Sequence, residues 1–181
     1  MNIFPLEGDK NSINWSLSSK SLDNTRTIKM ILETAQLLST ALSQNGFKPL
    51  YKPFNPKHPS CLWVSESSAN FESLAEYGIM LADEYSSRFK KEHKSKQIIL
   101  KSLEMFRNEK QKFKSHHETP FRMAMPEEFK NPHDVVGSYR NYYLTKPNMI
   151  YPENNIPEWF IKGRKIPYKV KRVNGKFYET L

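Results

Sequence analysis

Five polar residues fall at helical spacing in the stretch 26–40: Arg26, Lys29, Glu33, Gln36 and Thr40. On a helix, side chains three or four positions apart are neighbours, so Lys29 meets Glu33, and Arg26 and Gln36 extend the same face. A carboxylate set among cations is favoured in its charged form. It can then support a developing positive charge or accept a proton. The same spacing describes a solvated surface ion pair contributing about 0.3–0.5 kcal/mol, and since such pairs are common on solvated faces, spacing alone favours that reading.

Other reactive side chains form weaker patterns. His58, His93 and His133 are isolated, and His116-His117 are adjacent and point apart, so no zinc spacing occurs and no metal is expected. No GxSxG-type elbow offers a nucleophilic serine. Cys61 follows His-Pro-Ser and reads as a small packed apolar residue or as a reactive thiol. The absence of a glycine-rich phosphate loop argues against nucleotide kinases and Rossmann dehydrogenases, and no cofactor is expected.

The elements that must carry these residues are predicted to be mainly helical. A helix should open at Asp23, a residue type that accepts first-turn amides, and bury Ile28, Ile31, Leu32, Ala35, Leu38 and Leu42. Asn45-Gly46 should end it. Residues 51–63 hold three prolines in seven positions and predict a stiff extended loop presenting Tyr51, Lys52 and His58. A second helix is expected from Ser60 to Lys90, with Trp63, Phe71, Leu74, Tyr77, Leu81, Tyr85 and Phe89 as one stripe and Gly78 as a close-packing point. A third carries Ile98, Ile99, Leu103 and Phe106, and a fourth opens at Asp134. Residues 1–20 read as mostly loop anchored by Trp15 and Leu17, and 115–132 as a long connector. The tail from Asn148 reads as extended and docked at Trp159 and Phe160, with a small hairpin around Asn174-Gly175. The expectation is one compact helical domain over 1–160 with long proline-containing loops, and a basic arm or hairpin over 161–181.

With 181 residues and a mean hydropathy of −0.71, the chain is polar yet long enough for a real core. No apolar run is long enough to span a bilayer, no signal peptide is visible, and one cysteine fits a reducing cytoplasm. The net charge of +9 is confined to two blocks: residues 88–114 carry 10 basic and 3 acidic side chains, and 161–181 carry 7 and 1. Clustered cations are the footprint of a polyanion binder, or else a solvated helix face and a basic tail. Aromatics lie among them: Tyr85 and Arg88 share a helix face ahead of His93, and Tyr139, Arg140, Tyr142 and Tyr143 fall within five positions. Such rings can stack on bases while cations hold phosphates. A nucleic acid is the expected partner, with Lys29, Gln36, Lys52, His58, Trp63, Tyr85, Arg88, His93, Tyr139 and Arg140 at the interface. Lys162, Arg164, Lys165, Lys169, Lys171 and Arg172 are expected to hold phosphates.

An ordered set of motifs runs from residue 21 to 160: SLDNTRTIKMILETAQLLSTAL, YKP, HPSCLWVSESSANFESL, DEYSSRFKKEHKS, MAMPEEFK, SYRNYY and PEWF. It resembles a family of small phage-encoded proteins. That layout is in turn similar to pyrimidine-dimer DNA glycosylases of the phage endonuclease V type, which are small, basic and all-helical. The resemblance implies base excision in a host cytoplasm, by an enzyme that kinks DNA and displaces a base. It implies an N-terminal α-amine that attacks C1′ of the sugar, forms a Schiff base and cleaves the strand by β-elimination. Glu33 would then support the sugar cation, with Arg26 beside the opened nucleotide. Asn2 is bulky for methionine removal, which leaves the amine to Met1. Two other readings stay open: a DNA-coating or host-inhibiting accessory protein without catalysis, and an enzyme modifying a nucleobase or nucleotide.

Overall fold

Helix formation starts where side chains satisfy the free amides of a first turn. In the computed structural model, which describes residues 2–152 and 155–164 and the backbone alone of 169–173 and 176–180, most described residues are helical, as the periodicity predicts. In chain order the elements are β1 (Gly8–Asp9), β2 (Ser12–Ile13), α1 (Trp15–Lys20), α2 (Asn24–Gln44), α3 (Pro59–Glu66), α4 (Ser68–Phe89), α5 (Ser95–Asn108), α6 (Val135–Leu144), α7 (Glu158–Gly163), β3 (Lys169–Val173) and β4 (Lys176–Thr180). The contacts divide the chain into two compact units, Met1–Ile3 with Ile28–Ala124, and Phe4–Thr27 with Met125–Leu181.

The first unit is built on α2 from Ile28 onward and on α3, α4 and α5. Its part of α2 buries Met30, Ile31, Ala35, Leu37, Leu38, Ala41 and Leu42, but also Thr34, Ser39 and Thr40. Two residues of the expected stripe, Ile28 and Leu32, are instead exposed. From Glu33 to Leu42 only Gln36 escapes full burial, so small polar residues go inside with the apolar ones. The expected helix from 60 to 90 is two helices. Ser67 is extended (φ −143°, ψ 141°), its hydroxyl accepts from Ala69 N, and it bridges to Ser115. A serine that caps a new helix competes locally with helix continuation. α4 then ends at Phe89, because Lys90 adopts the left-handed conformation at φ 55°. Phe71, Phe106 and Phe113 form a ring cluster with centroids 4.7–5.4 Å apart.

The second unit begins in a stretch expected to be loop. Gly8–Asp9 and Ser12–Ile13 pair as a minimal antiparallel hairpin, and Asn14 caps α1. Leu17, an expected anchor, is 50% exposed; Phe4 and Leu6 are the buried residues. Phe4 packs edge-on against Tyr143 and Tyr139, with centroids 5.1 and 5.9 Å away. α6 opens at Asp134, whose carboxylate accepts from Gly137 N at 2.8 Å. Trp159 and Phe160 lie in the short helix α7, not in extended chain, and Phe160 is fully buried. β3 and β4 pair antiparallel from Lys169↔Thr180 to Val173↔Lys176. The turn expected at Asn174-Gly175 lies outside the described residues.

Candidate functional site

Glu33 sits on α2, in the first unit, and is only 8% exposed. Its position follows from the helix phase: it lies between the buried Met30, Thr34 and Leu37 and the exposed Lys29. The polar row is therefore not a uniformly wet face. Glu33 Oε2 accepts a hydrogen bond from the backbone amide of Asn2 at 2.9 Å. A carboxylate acceptor makes that bond about twice as strong as a neutral one. Asn2 is itself fixed, because its side chain donates to Ala124 O at 3.0 Å and accepts from Ile3 N at 2.9 Å. The Lys29 ammonium approaches Glu33 Oε1 at 3.5 Å but is 66% exposed, so solvent screens the pair.

His58 completes the group. It caps α3, its Nδ1 accepting from Ser60 N at 3.2 Å, with prolines on both sides of the pair His58–Lys57 fixing the backbone. Burial lowers the pKa of His58 from 6.5; the positive charge at the start of the chain lowers it further, and Glu33 pushes it back up. The chain start, Glu33 and His58 thus share one electrostatic neighbourhood. A nearly dry carboxylate that shares a charge neighbourhood with an imidazole of lowered pKa can stabilise a cation and handle a proton, since both effects gain strength away from water.

No family model, curated protein or solved structure matches this chain. The site is therefore read from its own chemistry. Among the described residues, no group of three or more His, Cys, Asp or Glu is placed to hold a metal ion. Among the same residues, no helix is long and apolar enough to cross a membrane.

The other expected site residues divide sharply. Gln36 is half-buried and Lys52 exposed in the first unit. Arg26 lies in the second unit, where Asp23 binds its guanidinium at 2.7 Å and the Tyr143 ring lies 5.3 Å beneath it. Asp23 is fully buried and also accepts from the Tyr143 hydroxyl at 2.5 Å. Arg26 thus pairs with the carboxylate that accepts the first amides of α2. Trp63, expected to meet DNA, is 4% exposed, donates to Thr119 O at 3.3 Å and packs on Phe121. Tyr139 is a core ring at 0% exposure. Arg88 is buried against Glu84 at 2.6 Å, and Tyr85 packs edge-on against His93, 5.1 Å away, closing the turn from α4 to α5. Arg140 donates to Leu6 O and Glu7, both at 2.7 Å, so it clamps the second unit. These side chains are taken up within the protein: the rings pack on other rings, and the cations bond carboxylates or backbone carbonyls. Lys162 is exposed and pairs with Glu158; Arg164 donates to Lys146 O. Met1 and Lys165 lie outside the described residues, as do the side chains of Lys169, Lys171 and Arg172.

Sequence reasoning missed the second fixed point of the first unit. Asn70 donates to Trp63 O at 2.8 Å and to Thr119 Oγ1 at 2.6 Å, and accepts from Thr119 N at 3.1 Å. Thr119 Oγ1 donates to Glu66, whose other oxygen binds Arg122 at 2.6 Å. No spacing joins residues 66–70 to 119–122, so nothing in one sequence announces this clasp.

Proposed function

We propose that this protein is a DNA glycosylase with lyase activity, acting through an amine Schiff base. The observation that carries it is the buried carboxylate of Glu33, bonded to the Asn2 amide and sharing its electrostatic surroundings with the chain start and His58. The α-amine of Met1, or of Asn2 once Met1 is removed, attacks C1′ as the free base. The C1′–N bond forms as the bond to the nucleobase breaks, and the base leaves with a proton. The sugar ring then opens to an iminium ion. Loss of the C2′ proton places its electron pair between C2′ and C3′, and the 3′ phosphate departs. Water hydrolyses the imine and frees the amine. Glu33 stabilises the positive charge that builds at C1′ and nitrogen; neutral His58 is suited to accept a proton.

Exposed lysines support the DNA partner. Lys90, Lys91, Lys94 and Lys101 make no ion pair among the described residues. Each phosphate they neutralise adds about 0.9 to the salt slope on duplex DNA. Those lysines also favour a second reading, a protein that binds DNA without acting on it. Cleavage of a duplex containing one abasic site separates the two. The enzyme cuts it, and Glu33→Gln lowers the rate by on the order of 10²–10³. Salt-sensitive binding with no cleavage by wild type defeats the enzyme and leaves the binder.

A further inference from the structure

The segment joining α2 to α3, residues 46–58, contains Pro49, Pro53 and Pro56, with Pro59 directly after it. It also contains Lys48, Lys52 and Lys57 and no acidic residue. Its backbone is strapped to the first unit. Tyr51 N donates to Ser39 Oγ at 2.6 Å, Gln44 Nε2 donates to Pro56 O at 3.1 Å, and His58 N donates to Asn55 O at 3.0 Å. Phe54 is held on both sides: its amide donates to Thr40 Oγ1 at 3.1 Å, and its carbonyl accepts from the Cys61 thiol at 3.7 Å. Yet Phe54 is 55% exposed, more than any other large apolar residue described. Asn55, directly after it, turns the chain in the left-handed conformation at φ 47°.

A rigidly held backbone that presents a phenyl ring to water leaves that ring's burial unused. It also removes the ordering cost that a flexible loop would meet on binding. We propose that Phe54 is a wedge that enters the DNA base stack where a nucleotide is displaced, with Lys48, Lys52 and Lys57 holding the flanking phosphates. The wedge rests on the DNA reading given above. Apolar side chains that enter a base step unstack it and kink the duplex, and an aromatic face suits any base. Three cations without an acidic neighbour fit a polyanion and oppose a basic or neutral protein surface. The strap ends at His58, in the neighbourhood of Glu33, so the wedge and the reacting carboxylate belong to one unit.

The test uses a duplex carrying a tetrahydrofuran abasic analogue with 2-aminopurine opposite it. The analogue has no anomeric hydroxyl and forms no Schiff base, so the fluorescence reports unstacking alone. Saturating wild-type protein is expected to raise the fluorescence several-fold, and Glu33→Gln to raise it equally. Phe54→Ala should abolish the rise and weaken binding to this duplex about tenfold, while intact duplex binds within about twofold. Phe54→Trp should keep the rise. The exposed ring makes Phe54→Ala neutral for folding, checked by its unfolding midpoint. A full rise with Phe54→Ala overturns the wedge, and so does a wild-type protein that gives no rise. Loss of strand cleavage alone, with the rise intact, refutes the lyase and not the wedge.

Discussion

Replacing Gly78 by alanine sets two effects of known size against each other. Gly78 lies within α4 with helical backbone, so alanine fits its conformation and gains about 1 kcal/mol of helix propensity. A Cβ there would stand 2.6 Å from Thr34 Cγ2 and 3.0 Å from Ile99 Cδ1. Carbon atoms pack best at about 3.5–4.0 Å, so the shortfall against Thr34 is about 1 Å. Thr34 is 1% exposed and β-branched, and its χ1 has few alternatives in a helix. Overpacking of this kind costs about 1–3 kcal/mol. Steric cost should exceed the propensity gain, for a net destabilisation of about 1 kcal/mol in urea unfolding followed by circular dichroism. Thr34→Ser deletes the obstructing methyl group. It should cost about 1 kcal/mol alone and little in the Gly78→Ala background, a coupling of about 1 kcal/mol. A Gly78→Ala protein about 1 kcal/mol more stable than wild type, with additive Thr34→Ser, would refute the close packing of α4 on α2. That packing fixes the helix next to Glu33.

Three further outcomes follow from the same unit. Asn70→Ala leaves Trp63 O and the Thr119 amide without their bonds and should cost about 2–3 kcal/mol; limited proteolysis should then open the 115–124 segment, and an unchanged digestion pattern would count against the clasp. The folded-state pKa of His58 lies below its ordinary 6.5, so its stability contribution is intact above pH 6.5 and is lost as pH falls from 6.5 through the depressed value. Glu33→Gln removes the one influence that raises it, so proton NMR should find His58 titrating lower still; an upward move contradicts the shared neighbourhood. Burial pushes the Cys61 thiol up to about 11, and a thiol must ionise to react, so a disulfide reagent at pH 8 should modify it only after urea unfolding. Modification in the folded protein would contradict the packing of α3.

Helix existence was legible in the sequence because capping residues and apolar periodicity act locally. Asp23, Gly46 and Asp134 mark helix ends in the structure as their chemistry predicts. The break at Ser67 was not legible, because Ser115, which pairs with it, is 48 positions away. Face assignment failed at Ile28 and Leu32, since a helix buried on most sides hides Thr34 together with Ser39 and Thr40, whose hydroxyls bond to the strap or to backbone, and leaves some apolar residues outside. The Glu33–Lys29 pair could be read from spacing, whereas the bond from Asn2 spans 31 positions. Tyr139 and Trp63 looked like stacking platforms only because composition does not distinguish a core ring from an exposed one. Phe54, hidden among prolines, carried no periodic signal at all.

Borohydride trapping on an abasic-site duplex tests the central claim most directly, with the adduct mapped by peptide mass spectrometry. Reduction of the iminium should link the DNA covalently to the amine at the start of the chain, and an added N-terminal segment or Glu33→Gln should sharply reduce the product. An adduct on Lys29, whose ammonium lies 3.5 Å from Glu33, would move the nucleophile. No adduct on DNA that the protein demonstrably binds would contradict the Schiff-base lyase altogether.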